Sequence, residues 1–397
     1  MKVYAVIGGG YGDESKGKKV DYWANLSTRP VVIRSNGGAQ AGHTVVTPTG
    51  ERHVFSHIGA GTFANAPTYL SNHFVLNPVL FKKEHEEFIT KFGFAPEIYA
   101  DSSCKVTSVF DMLINQSFET MRGDNPHGSC GVGFGETLER YKYSDKYHMN
   151  LGHNLRTVKK KLEMIRDDYL PRRLKLSQVS ETFLSVLYSD ILIEEYLEAF
   201  KYMNDHIETL KMSFFADKTL IFEGAQGLGL DQDYGDFPYV TRSNTGMKNV
   251  ADVLRRIAPK NSISVTVDYL TRAYSTRHGA GPLAFEKPNP DWMIDKTNIT
   301  NEWQGEFRYA PLNLDRFNSL TDRDFALYGR RYVGDWELMR VNTLSHINQI
   351  PKKGLFITIE NGEKVRWTPS QYFDNIAPFQ FNFISDGFTR LDVNRVR

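Results

Sequence analysis

Hydrophobic residues along this chain follow two rhythms. Short apolar runs bounded by glycine or charge occur at Val3 to Ile7, Val31 to Ile33, Val75-Leu76 and Thr219 to Phe222, and they predict buried strands. From Val79 to Phe92 apolar residues recur at helical spacing with charge between them, which predicts an amphipathic helix ending at Gly93 and places His85 on its solvated side. Met149 to Phe215 has the same character, with Ile191, Leu192, Tyr196, Leu197, Phe200 and Met203 along one face. Leu355 to Glu360, then Asn361-Gly362, then Glu363 to Trp367 predicts a β-hairpin with a type I′ turn.

The first apolar run leads straight into Gly8-Gly9-Gly10-Tyr11-Gly12-Asp13-Glu14-Ser15-Lys16-Gly17-Lys18. A buried strand, a glycine turn and a helix in that order make a phosphate site: glycine backbone approaches an anion closely, and the helix turns its positive end toward it. Two common templates fit poorly. Gly12 to Lys18 matches G-x-x-x-x-G-K, but Lys19 stands where a P-loop has its magnesium-binding hydroxyl. In a dinucleotide fingerprint Asp13 would replace the third glycine and repel a pyrophosphate. What remains is a phosphate loop with an acid at its centre, able to hold magnesium or accept a proton. The bland alternative is a glycine turn with solvated charges.

A second bend, Asn36-Gly37-Gly38-Ala39-Gln40-Ala41-Gly42-His43-Thr44, follows another apolar run and puts one imidazole at a sheet edge. Alone, His43 would read as structural. Together, Gly12-Asp13-Glu14-Ser15-Lys16-Gly17-Lys18, Ala41-Gly42-His43-Thr44, Phe222-Glu223-Gly224-Ala225-Gln226-Gly227 and Ala273-Tyr274-Ser275-Thr276-Arg277-His278-Gly279-Ala280-Gly281-Pro282 resemble the adenylosuccinate synthetase family, in family order.

Length and composition agree with such an enzyme. A chain of 397 residues suits an α/β enzyme built around one large sheet. Its 48 basic and 47 acidic residues give a net charge of +1, which points to neither nucleic acid nor a membrane surface as partner. The two cysteines, Cys104 and Cys130, lack metal spacing, and no targeting or membrane segment is visible, so a cytoplasmic location is expected, in a host cell if the source is viral.

The resemblance implies an α/β fold with a large, mostly parallel central sheet, a P-loop-like phosphate site, flanking helices and small subdomains. Residues 1–397 would form one catalytic domain, with a helical subdomain around 100–215 and a donor-base and aspartate region around 285–397. It implies a C–N ligase that first phosphorylates the 6-oxygen of a purine nucleotide, because oxide is a poor leaving group, and then lets aspartate's amine displace phosphate. Asp13 would take the N1 proton and touch Mg²⁺, and His43 would stabilise the transferring phosphoryl group. Gly12, Glu14, Ser15, Lys16, Gly17, Lys18, Gly42, His43 and Thr44 would surround the donor phosphates, with the Gly42 carbonyl as a second metal ligand. Gln40, Gln226 and Thr241 would hold the acceptor nucleotide with Asp13. In the loop at 123–135, Ser129 and Cys130 replace a threonine pair at the acceptor phosphate, and Arg140 is the candidate to reach that phosphate across a homodimer.

The C-terminal third departs from the family. Its arginine-rich aspartate loop becomes Gly305-Glu306-Phe307-Arg308-Tyr309-Ala310-Pro311-Leu312-Asn313, where only Arg308 remains for the dicarboxylate. Its guanine-reading T-K-L-D becomes Leu344-Ser345-His346-Ile347-Asn348, and the amide of Asn348 suits adenine better than guanine, so ATP or dATP is the expected donor. These changes resemble the viral branch of the family, which makes N6-succino-2-amino-2′-deoxyadenylate from dGMP and aspartate for 2-aminoadenine DNA. The alternatives are the IMP and GTP reaction, or a nucleotide-binding switch without ligase chemistry.

Overall fold

The computed structural model describes every residue except 124–127, 175–180, 258–261, 294–306, 332–335, 351–355, 377–378 and 397. Strand β1 (Lys2–Gly8) lies in the middle of a ten-stranded sheet. From one edge the order is Val393–Arg395, Phe381–Ser385, Trp336–Ser345, Ile263–Arg272, β1, Thr219–Glu223, β2 (Pro30–Arg34), Thr68–Leu70, Ile98–Ala100 and Glu208–Thr209. All neighbours are parallel except the first pair, which is antiparallel. Both faces are covered. Val6, Val32 and Ile221 pack into one apolar cluster, while Val3, Ala5, Ile7, Val31 and Ile33 pack into the other, as period-two side-chain alternation requires.

Because the central strands are parallel, the loops that follow them emerge along one edge. That edge gathers the turn after β1, the bends after β2 and after Thr219–Glu223, and the segments beyond Ile263–Arg272, Trp336–Ser345 and Phe381–Ser385. Helix α1 (Lys16–Leu26) leads from β1 toward β2 and buries Lys19, whose ammonium lies 3.4 Å from Asp268. Asn36 ties two of the loops: its side-chain amide donates to the Ala225 carbonyl at 2.9 Å, and its oxygen accepts from the Ala225 N–H at 2.8 Å.

A smaller sheet of four strands, Tyr274–His278, Phe307–Asn313, Phe356–Glu360 and Glu363–Trp367, stands beside the main one. Its hairpin turns at Asn361 and Gly362, with φ of 50° and 76°, as a type I′ turn requires. Helices Val109–Arg122, Phe134–Tyr143, Leu155–Met164 and Asp190–His206 fill much of the region between 100 and 215. The helix expected from Val79 spans Pro78–Phe92, with Asn77 capping its start and Gly93 (φ 75°) ending it. Two expectations fail there. His85 is buried rather than solvated, because Asp190–His206 packs on that side and Tyr202 bonds its Nδ1 at 2.9 Å; burial pushes the imidazole down to about 4. Ile191 is 70% exposed, whereas Ile193 turns into the core in its place.

No helix among the described residues is long and apolar enough to cross a membrane. Replacing Asn36 with alanine strands a buried N–H and carbonyl at Ala225. The variant should lose about 1–3 kcal/mol of unfolding free energy in urea titration, and an unchanged midpoint would show that the two loops hold together without it.

Candidate active site

The turn after β1 and the turn after Thr219–Glu223 meet backbone to backbone. A Cβ on Gly12 (φ 119°) would come 3.2 Å from the Gln226 Cα, and one on Gly227 would come 2.4 Å from the Gly10 carbonyl. The glycines therefore serve close approach, and the Gly229 N–H donates to Gly10 at 2.8 Å across the join. Glu14 folds into the turn, accepting from the N–H groups of Gly10 (3.2 Å) and Gly12 (2.8 Å) and pairing with Lys16 at 3.1 Å. The turn's own amides thus hold a protein carboxylate. For a ligand anion the chain offers the first turn of α1, where the N–H groups of Lys16, Gly17 and Lys18 precede any intrahelical acceptor. Ser15 enters that helix in the left-handed region, φ 64°.

Asp13 stands at the mouth with its side chain 16% exposed. Burial raises its carboxyl above the usual aspartate range, against the pull of Arg272, His278 and Lys16. His43 begins strand β3 (His43–Val46), which lies against the start of α1: a Cβ on Gly17 would meet the His43 Cβ and the Thr44 carbonyl, each at 3.0 Å. Burial lowers the His43 imidazole below its ordinary value, while Glu223, bonded to its Nδ1, works the other way. Burial alone would raise Glu223, but Arg34, with its Nε 4.0 Å away, and His43 hold it below the usual range, and Ala60 donates to it at 3.0 Å. With Nδ1 committed to Glu223, Nε2 is the ring atom left for a ligand. Both lie about the start of α1, Asp13 three residues ahead of Lys16 and His43 against Gly17.

Among the described residues, polar side-chain atoms of two glutamines in these loops have no hydrogen-bond partner. Gln40 has both side-chain polar atoms buried and unpartnered, and Gln226 (φ 62°) has its oxygen in the same condition. Buried polar groups rarely stay so unless a ligand or water completes them. Ser129 accepts from Asn115 at 2.7 Å and keeps its own hydrogen to donate, while burial pushes the neighbouring Cys130 thiol up to about 11. Thr241 is half-buried, with its N–H on the Leu230 carbonyl at 2.8 Å. Asn348 is exposed just past Trp336–Ser345, and its N–H bonds Asp386 at 2.9 Å.

Three sequence expectations do not match the positions found. Arg140 lies in the core with every nitrogen occupied, by Asp111 (2.8 Å) and by the carbonyls of Tyr147 (2.5 Å) and Val106 (2.7 Å). A guanidinium so enclosed braces the Val109–Arg122 helix and cannot reach a nucleotide across an interface. The Lys18 side chain turns away from the α1 terminus to the carbonyls of Ser385 (3.2 Å) and Gly387 (2.6 Å), and burial brings its ammonium down to about 8, so only its backbone N–H remains at that terminus. Arg308 lies opposite Arg277 in the small sheet, and its nitrogens go to Glu286 and to the carbonyls of Gly279 (2.8 Å) and Gly281 (2.7 Å) rather than toward a dicarboxylate. Gly305 and Glu306 lie outside the described residues.

Known proteins resemble this chain in sequence and in fold. Residues 5–304 fit the family model described as adenylosuccinate synthetase. The chain belongs to that family. Its members are C–N ligases. The chain is 30% identical over 313 residues to the adenylosuccinate synthetase of Clostridium beijerinckii, spanning 75% of this chain and 69% of that one. To that of Limosilactobacillus reuteri it is 28% identical over 346 residues, spanning 84% and 74%. Among solved structures, the fully ligated adenylosuccinate synthetase of Plasmodium falciparum matches with a TM-score of 0.66 at 19% identity, over 99% of this chain and 87% of that one. The succinoaminodeoxyadenylate synthetase of cyanophage S-2L, bound to dGMP and dATP as an energy donor, matches with 0.63 at 16% identity, over 99% and 95%. At those identities the likeness is one of fold.

Members of this family depend on magnesium as a class. A magnesium ion coordinated mostly by phosphates and water asks the protein for one or two oxygens. The partly exposed carboxylate of Asp13, beside the α1 amides, fits that demand, and Gly42 is exposed just ahead of His43.

Glu223 is the residue that sequence reading passed over. It stood in the third motif without a role, and only its placement under His43 reveals one. In a Glu223→Gln variant the imidazole loses the charge that supports its protonation, so the His43 titration followed by NMR should move to lower pH and turnover should fall. A titration that moved up would contradict the pairing.

Proposed function

We propose that this ligase joins L-aspartate to C6 of dGMP, with ATP or dATP as phosphoryl donor, to give N6-succino-2-amino-2′-deoxyadenylate. The observation that carries the choice of acceptor is the set of unpartnered polar atoms on Gln40, three residues ahead of His43, and on Gln226, whose backbone lies against Gly12 next to Asp13. Guanine turns three N–H hydrogens toward such acceptors, from N1 and the 2-amino group, whereas hypoxanthine has only N1–H there. A pocket with a carboxylate and two further amide oxygens is better completed by guanine. Asn348, exposed where the family carries an acidic guanine reader, supports an adenine donor. The cyanophage enzyme, which binds dGMP and dATP, supports the same pairing by fold.

In this reading Asp13, its carboxyl raised by burial, accepts the N1 proton as the 6-oxygen attacks the γ-phosphorus. His43, aimed by Glu223, donates from Nε2 in the imidazolium form that Glu223 supports, to the charge that gathers between the 6-oxygen and the γ-phosphate. The α1 amides, with the charge of Lys16 behind them, hold the donor phosphates, and Ser129 and Thr241 the acceptor phosphate. Bound magnesium supplies charge neutralisation at the donor phosphates. The reading keeps a homodimer, without Arg140 at its interface, and a viral setting for the product.

Purified protein with aspartate and magnesium should consume dGMP with ATP faster than IMP with GTP, as read by phosphate release and product mass. Turnover of IMP and GTP alone would make it an ordinary adenylosuccinate synthetase, the activity named for its bacterial relatives. An Asp13→Asn variant should lose at least about 100-fold in turnover. Nucleotide binding with no aspartate-dependent phosphate release from any 6-oxopurine would leave only a binding protein.

A further inference from the structure

The ligase reaction brings a dicarboxylate to the side of Asp13, and one carboxylate repels another unless a donor stands between them. Among the described residues, the guanidinium groups near the mouth are already held by the protein. Arg308 is bound as described above. Arg277 donates to the carbonyls of Ala280 (3.1 Å), Pro282 (2.9 Å) and Tyr239 (2.9 Å), and Arg316 pairs with Asp236 at 2.7 Å, with only its buried Nε left over. Arg272 is tied to the Asp13 carbonyl and, at 3.3 Å, to the Tyr274 hydroxyl.

His278 is the exception. It ends the strand Tyr274–His278 opposite Phe307, whose ring lies 4.7 Å from its own and sets its plane. Its Nε2 is 3.9 Å from the Asp13 carboxylate, too far for a hydrogen bond and close enough to share a ligand with it. The side chain is 14% exposed, and among the described residues the ring makes no hydrogen bond. An imidazole carries at least one N–H in either protonation state.

We propose that His278 is a substrate-binding residue whose imidazole N–H donates to a carboxylate of L-aspartate, placing it beside Asp13 with the amine toward C6. This rests on the ligase reading above and takes over the task that Arg308 is not placed to perform.

Steady-state kinetics of the full chain, with purine nucleotide and ATP saturating, tests it. H278V should raise the KM for L-aspartate at least about tenfold, as loss of a charge-assisted hydrogen bond implies, while the KM values for ATP and nucleotide move less than about twofold. H278Q, which keeps an N–H donor, should recover part of the affinity, and it carries the test by itself against wild type if H278V does not fold, with a smaller rise in the aspartate KM expected. A fall in kcat with an unchanged aspartate KM would make His278 a positioning partner of Asp13 and overturn the assignment, as would unchanged kinetics. Wild-type protein with no aspartate-dependent turnover would overturn the ligase reading itself, whereas normal wild-type turnover with an unaltered variant would overturn the role of His278 alone.

Discussion

The site depends on the contact between two backbones. The turn after β1 and the turn after Thr219–Glu223 touch where Gly10, Gly12 and Gly227 leave no space for a side chain, and Gln226 is held at positive φ by the same contact. Backbone strain at a non-glycine residue costs on the order of 1 kcal/mol, and it persists here because the surrounding structure over-determines it. Asn36 clamps the second turn from the far side, so loops from three strands are fixed together before any substrate arrives. A larger residue at any of these glycines would separate the acid at 13 from the amide at 226.

On that frame the charges are distributed by burial. Glu14 fills the amides of the turn and pairs Lys16, which leaves the helix terminus as the open anion site. Asp13 is pushed toward the neutral form and His43 toward the unprotonated form, both by desolvation, and each is opposed by a neighbouring group of opposite sign. Burial of Asp13 raises its proton affinity, which suits the base it is proposed to be.

The corrections share one cause. The family resemblance puts Arg140, Lys18 and Arg308 at ligands, yet in each case carbonyls or a carboxylate of the chain itself surround the charged group. A buried cation must have acceptors, and a neighbouring backbone carbonyl serves as well as a phosphate. Which acceptor wins depends on distance in space, which spacing along the chain does not report. Ile191 and His85 illustrate the same limit for apolar and aromatic positions, since the face a helix buries depends on what packs against it.

By itself the sequence determined the strands at Lys2–Gly8, Pro30–Arg34 and Thr219–Glu223, the helix Pro78–Phe92 and the hairpin at Asn361-Gly362, because apolar period, caps and turn chemistry act over a few residues. It also determined the family, through four motifs that occur in family order along the chain. Only the tertiary structure decided that Glu223 aims His43, that His278 faces Asp13 across 3.9 Å, and that, among the described residues, the Gln40 amide and the Gln226 oxygen are left without partners. Those facts join residues 180 and 265 positions apart or more, and they follow from the order of strands in a parallel sheet, which sets which loops meet at its edge.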